Sequence, residues 1–232
     1  GGGFNEPNAV WAGTSGTAAK LSTREIDDIL RSYPDDVLAK IVLEGRADRG
    51  HEFLYLHLPD QTLVYDGAAS EVLQQPVWFI LKSGVAQGGY QARGMVWCYG
   101  RWNVGNPFGY EFGYLDDAIG SHYGALTLWE FSTPVVYNDG RGVIIHDLEL
   151  IALTGDIALG DDPMIGADYS LDGETWSQRK YIRAGKAGQR VKQLTWHKQG
   201  VLKSWRIQRF TGDSRAHLAF ARLEANMEPL AL

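Results

Sequence analysis

IDDILRSYPDDVLAK (26–40), HEFLYLHLPDQTLVYD (51–66) and VWFILKSG (77–84) follow one another in the chain and decide its architecture. In the first, Ile26, Ile29, Leu30 and Tyr33 recur at helical spacing and form one apolar stripe. Ser22-Thr23-Arg24-Glu25, just before it, has the form of a capping box, in which hydroxyl and carboxylate satisfy opposed backbone donors. Pro34 ends that helix and opens a short second one, on which Val37, Leu38, Ile41 and Val42 are expected to face inward. Helix is expected only here, near 23–44. From His51 the period becomes two: His51, Phe53, Tyr55 and His57 share one strand face, and Glu52, Leu54, Leu56 and Leu58 the other. Pro59-Asp60 turns the chain, and 62–65 returns as the hairpin partner.

Working outward, 10–22 reads as a strand, a Gly-containing turn and a returning strand, and 77–82 and 92–99 read as further strands. Turn residues in NVGNPFGYEFGYLD separate 103–104 from the aromatic strand 110–115. Short strands at this spacing, each with a Trp or Tyr, look like propeller blades. A closed propeller takes at least about four blades of roughly 40–50 residues. Residues 1–120 would therefore supply only part of a ring, with further blades upstream in a longer chain; the three leading glycines without Met suggest a cut fragment or a tag scar.

A second domain is expected from 123 to 232, after a first at 1–122. Candidate strands at 131–134, 142–153, 163–170, 176–183, 189–196, 204–210 and 216–225 suit an antiparallel sandwich of jelly-roll or immunoglobulin-like type. The apolar run GVIIHDLELIAL reads as a central strand, and Asp172-Gly173 as a two-residue hairpin turn. The fold class is thus mainly all-β: partial propeller-like blades with a short helical insertion, then a β-sandwich.

Eight Trp, eleven Tyr and 28 Gly in 232 residues favour turn-rich β-structure and binding surfaces over a helical bundle. A single cysteine, Cys98, excludes an internal disulfide and suits a reducing compartment. No apolar stretch reaches the roughly 18 residues of a membrane span. Charge is uneven: residues 1–177 carry ten Lys and Arg against 25 Asp and Glu, whereas 178–232 carry twelve against three.

The wording of these segments resembles a known family, the packaged-DNA stabilisation proteins, or tail hubs, of short-tailed Salmonella-type phages. The shared features are a helix ending in ILRSY, a strand opening on His51-Glu52, the HLP turn, LVYD, and Trp78 before Leu81-Lys82-Ser83-Gly84. The second half adds SLDGETW (170–176), an Arg-rich strand, a Gly-rich link, R-V-x-x-L-x-W from Arg190 and G-x-x-x-x-W-R-I from Gly200. The resemblance is strongest at 24–84 and 168–210; 85–125 matches only in spacing and in its Gly and aromatic content. It implies a non-enzymatic virion part of the tail, assembled in the bacterial cytoplasm. It further implies a hexameric ring that closes the portal after DNA packaging, stabilises the packaged DNA, and meets portal adaptor, tailspike and tail needle.

Constellations that suggest catalysis have simpler explanations. His51 and His57 are six apart on a strand, whereas a helical zinc motif needs His at i and i+4. SLDGETW is one residue short of the sialidase Asp-box, itself a structural turn. Adjacent acid pairs such as Asp27-Asp28 point about 100° apart on a helix, and Asp27-Asp28 suits the positive end of the helix dipole as solvated charge. No catalytic residue, cofactor or metal ligand is assigned.

Two surfaces remain as candidates. Trp97, Tyr99, Trp102, Phe108 and Tyr110 are candidate interface contacts, because aromatic residues dominate binding hot spots. Arg179, Lys180, Arg183, Lys186, Arg190 and Lys192 form a candidate basic face, able to meet DNA phosphates without reading bases. Contact with an acidic neighbouring subunit or tailspike is preferred, since a strongly attractive lining would hinder DNA release. A carbohydrate-binding β module, with a sugar stacked on Trp97 or Trp102, is the alternative function.

Overall fold

A computed structural model of the chain describes residues 8–138 and 141–230; the leading glycines lie outside the described residues. The chain divides into two compact units, Gly1–Leu115 and Asp116–Leu232.

The first unit opens on a hairpin, β1 (Trp11–Thr14) and β2 (Thr17–Lys20), turned by Ser15 and Gly16 at positive φ. Helix α1 (Arg24–Arg31) follows, and its cap is Thr23, whose side chain accepts from the Ile26 N–H. The cap is therefore one residue later than the Ser22 expected, and with Ile26 three residues on it closes no capping box. Ser22 Oγ instead accepts the Val10 N–H at 3.0 Å and donates to Asp27 Oδ1 at 2.6 Å, and Lys20 donates to the other Asp27 oxygen. Asp27, expected in solvent, is buried by these partners and ties the hairpin to the helix.

Helix α2 (Asp35–Leu38) is one turn long. Val42, expected to face inward from it, is exposed and opens β3 (Val42–Asp48); the β-branched pair Ile41-Val42 already favours extended backbone. Strands β3, β4 (His51–His57), β5 (Thr62–Asp66) and β6 (Trp78–Leu81) form a four-stranded antiparallel sheet in chain order. The alternation read from the sequence sorts its faces. Leu56, Leu58 and Leu63 pack on Ile26 and Leu30 of α1, while Tyr55 and Val64 pack on Tyr90, Ala92 and Val104. Each such fully buried side chain contributes roughly 1.5–3 kcal/mol.

Helix was not confined to 23–44. A third helix, α3 (Gly67–Leu73), fills the β5–β6 link, capped by Asp66 Oδ1 on the Ala69 N–H at 3.0 Å. A capping Asp before Ala-Ala-Ser-Glu-Val-Leu is a sufficient local signal for it. A three-stranded sheet, β7 (Arg93–Cys98), β8 (Arg101–Gly105) and β9 (Phe112–Tyr114), completes the unit.

The second unit is a two-sheet antiparallel sandwich. Its strands are β10 (Leu128–Ser132), β11 (Val136–Tyr137), β12 (Val143–Ile157), β13 (Met164–Ser170), β14 (Lys180–Arg183), β15 (Leu194–Leu202), β16 (Trp205–Asp213) and β17 (Ala216–Pro229). One sheet runs β10-β16-β13-β14, with β11 also paired to β16, and the other runs β15-β12-β17. Strand β12 is central, as its apolar run predicts. Leu150, Ile165, Leu194, Trp196 and Phe210 form the core between the sheets, with Trp196 and Phe210 at 5.3 Å. The Asp172-Gly173 pair does not make the expected two-residue hairpin. Ser170 bridges to Trp176, and Asp172 Oδ1 accepts the Glu174 and Thr175 N–H groups at 2.9 and 2.7 Å, winding a wider loop. Aspartate holds its own backbone here more strongly than the strands hold a tight turn.

Candidate functional site

The candidate aromatic residues gather on the β7–β9 sheet and its loops. Tyr99 and Gly100, at φ 54° and 72°, make the tight turn from β7 to β8, and Tyr99 stands 93 % exposed at its tip. Trp97 and Trp102 are cross-strand partners with ring centres 5.5 Å apart, set edge to face at 61°. Trp97 is 58 % exposed, whereas Trp102 is half-buried. The two rings therefore share no common flat face, and Trp97 alone presents an exposed indole.

Phe108 and Tyr110 sit on the loop before β9. Asn106 shapes that loop, accepting the Phe108 N–H at 3.0 Å and donating to Glu111 at 2.8 Å. Although much of Phe108 is exposed, its ring closes over Gly89, where a Cβ would fall 2.6 Å from Phe108 Cζ. Tyr110 is fully exposed. Sequence reasoning missed Val96, Phe112 and Tyr114, which are also exposed on this sheet. The period-two spacing of Phe112-Gly113-Tyr114 was the available signal. Arg101 lies over the Tyr114 ring at 4.2 Å. Beneath the patch, buried Asn103 donates to the carbonyls of Cys98 and Arg101 at 3.0 and 3.2 Å and fixes the hairpin.

The two histidines of β4 have separate carboxylate partners. His51 Nδ1 lies 2.7 Å from Asp66 Oδ2, and His57 Nε2 lies 2.9 Å from Glu44 Oε2. Burial lowers the His57 pKa, against the opposing pull of Glu44. Among the described residues no group of three His, Cys, Asp or Glu side chains is placed to hold a metal ion.

The candidate basic residues follow the β14–β15 edge of the sandwich, but they are not equivalent. Arg179 turns inward, with Nε donating to Asp168 Oδ2 at 2.9 Å. Buried Asp168 also accepts two bonds from Arg209 at 2.8 Å, and Arg209 lies 3.6 Å over the Trp176 ring. Burial alone would raise the Asp168 pKa, yet the bonds from Arg209 and Arg179 bring it below the ordinary value. Lys180 donates to the Lys198 carbonyl at 2.6 Å and laces β14 to β15, and Arg183 pairs with Asp162. Lys186, Arg190 and Lys192 stand exposed on the intervening loop. Arg206, also in the basic run, is buried against Tyr169 at 4.2 Å, and that burial pushes its pKa down to about 10.

Two folds now stand in order along the chain: meander sheets with short helices, then an eight-stranded sandwich. Residues 1–120 match the family model described as the β-propeller of bacteriophage P22 Gp10, and residues 128–228 match that of its β-sandwich. The chain belongs to the P22 Gp10 family. Among its relatives is the tail hub protein gp10 of Salmonella phage P22, 28 % identical over 198 residues. That alignment covers 85 % of this chain and 40 % of the relative, so the chain spans about two-fifths of the length of that Gp10 protein. The resemblance read from the 24–84 and 168–210 motifs is borne out at the level of family and fold. In Gp10 terms, the aromatic patch lies in the propeller region and the basic edge in the sandwich.

Proposed function

We propose that the chain is a structural, non-catalytic part of a phage or prophage tail hub. The observation that carries this reading is the pairing of a Gp10 propeller match with a Gp10 sandwich match, in order, across nearly the whole chain. The named relative is a tail hub protein, which supports placement in the virion tail.

In this reading the hub closes the portal after packaging, stabilises the packaged DNA and anchors the tailspikes and needle. Six copies assemble in the host cytoplasm around the portal adaptor. Trp97, Tyr99, Trp102, Phe108 and Tyr110 supply apolar contacts with neighbouring tail proteins, and Trp97 and Tyr99 are the best placed, being exposed on a hairpin fixed by Asn103. The basic edge serves contact between proteins. Arg179 is committed to Asp168 and positions that edge rather than forming its outer surface.

The test is deletion of the gene from the phage or prophage that encodes it. Packaged heads are expected to form and then lose their DNA, with tailspikes absent. Heads that keep both DNA and tailspikes would contradict the reading.

A further inference from the structure

Within the first unit, a cleft of about 310 Å³ opens between the end of α2, the β4–β5 turn and the start of β7. Lys40 and Arg93 are the ionised side chains on its walls, and no carboxylate among the described residues lines it. Neither side chain has a hydrogen-bond or ion-pair partner among the described residues. Arg93 Nε is also shut off from solvent without an acceptor. Buried donors of ionised groups are rarely left in this state, because desolvating them without a partner costs free energy. The chain itself therefore leaves the guanidinium charge uncompensated.

The rest of the wall is apolar or already bonded. His57 lines the cleft with ring surface only, since its nitrogens are taken by Glu44 at 2.9 Å and Thr62 at 3.0 Å. Leu58, Pro59 and Phe108 add apolar surface. Phe108 is held in place by the absence of a side chain at Gly89, where a Cβ would meet Phe108 Cζ at 2.6 Å and the Pro59 carbonyl at 2.8 Å. The volume is at the low end of ligand clefts, which run to about 300–1,000 Å³.

We propose that this cleft binds a small organic carboxylate, with its charged end on Arg93 and Lys40 and its apolar body against Phe108 and Pro59. The planar fork of a guanidinium meets a carboxylate in two parallel N–H···O bonds, and the adjacent ammonium adds a third donor. Glu44, bonded to His57, offsets part of the positive charge, so one negative charge is matched better than a phosphate dianion. The apolar wall gives a ligand with a ring or chain an advantage over a bare anion.

The test is titration of the full chain with sodium benzoate, followed at the Nε–Hε resonance of Arg93 in nitrogen-15-labelled protein. Benzoate is expected to shift that resonance with a dissociation constant on the order of a millimolar. Benzamide, of the same shape without the charge, is expected to leave it in place. Arg93→Gln removes an unbonded cation, so it is expected to fold as the wild type does. Its benzoate binding, read from the ligand's own proton signals, is expected to weaken on the order of tenfold. Lys40→Gln, at an exposed position, is expected to weaken it by a smaller factor. Phe108→Ala is expected to weaken benzoate while leaving acetate unchanged, which separates the apolar wall from the charged end.

A short acetylated peptide with adjacent phenylalanine and glutamate distinguishes the sources of the carboxylate. Tighter binding of the peptide assigns the site to a protein segment, and tighter binding of benzoate assigns it to a free acid; either order supports the site. An Arg93 resonance that benzoate does not move, or that benzamide moves equally, would overturn the proposal. So would benzoate binding that is unchanged in Arg93→Gln, or inorganic phosphate that binds more tightly than benzoate. None of these outcomes bears on placement in the tail, so this site and the hub reading stand or fall separately.

Discussion

Glu44 and His57 meet at 2.9 Å across the β3–β4 pair, and the other Glu44 oxygen accepts the Gly94 N–H at 2.7 Å. A single carboxylate thus joins the four-stranded sheet to the first strand of the next one. The His57 side chain is fully buried, with its second ring nitrogen 3.0 Å from Thr62 Oγ1 and its ring stacked 6.4 Å from Tyr90. Replacing Glu44 by Ala leaves a buried ring nitrogen without its partner and returns the exposed Gly94 N–H to solvent. We expect a loss of roughly 1–3 kcal/mol for the histidine alone, read as a lower denaturant midpoint with unchanged slope.

The same histidine sets a pH dependence. Its folded-state pKa is lowered by burial from the ordinary 6.5, so below that value the unfolded chain binds a proton that the folded chain resists. Stability is therefore complete above pH 6.5 and falls as the pH drops through and below it. His122, whose pKa burial also lowers, adds to the same trend. Denaturation of wild type and His57→Gln at pH 7.5 and 5.5 separates the two, because the variant is expected to lose less between these values.

Asp168 governs the sandwich in a lower pH window. Its folded pKa is depressed, so its contribution is present above the ordinary 3.8 and is lost as the pH falls through the folded value. Asp168→Ala leaves Arg179 and Arg209 without their shared partner and is expected to cost about 3 kcal/mol at neutral pH, toward the low end for buried pairs because both guanidiniums keep some solvent access. Equilibrium unfolding at pH 7 checks this.

Gly155→Ala tests a close backbone approach. Gly155 sits at φ +81°, and a Cβ there would lie 2.7 Å from the Gln189 backbone. Strain and clash together are expected to cost more than about 1 kcal/mol, with the damage confined to the loop that carries Lys186 and Arg190. A midpoint equal to wild type would show that this loop gives way freely.

Tyr99→Ala probes surface against core. An exposed residue at a turn tip is expected to change stability by no more than about 0.5 kcal/mol, yet to weaken tail assembly if the aromatic patch is an interface. Loss of folding would move Tyr99 from contact to scaffold.

What the sequence made legible is what period and punctuation carry. The alternation of 51–58 sorted Leu56 and Leu58 from Tyr55 and His57 correctly, and the apolar run of β12 marked its central place. What stayed hidden depends on side-chain partners that only the folded chain brings together. Nothing near Asp27 announces that Lys20 and Ser22 will bury it, and nothing near Arg179 announces Asp168 or the neighbouring Arg209. Helix α3 was legible in principle, since Asp66 and the residues after it form a capped helical start, but it is short and lies between two strong strands. The candidate surfaces were half legible. Composition pointed to Trp97 and Tyr99, while the difference between exposed Lys186 and inward Arg179 appears only when the strands are paired.

The most direct test of the hub reading is immunogold labelling of particles from cells that encode the chain, with antibody raised against residues 116–232. The account predicts gold at the single tail vertex of each particle. Particles without label, from cells in which the protein is present and folded, would contradict it.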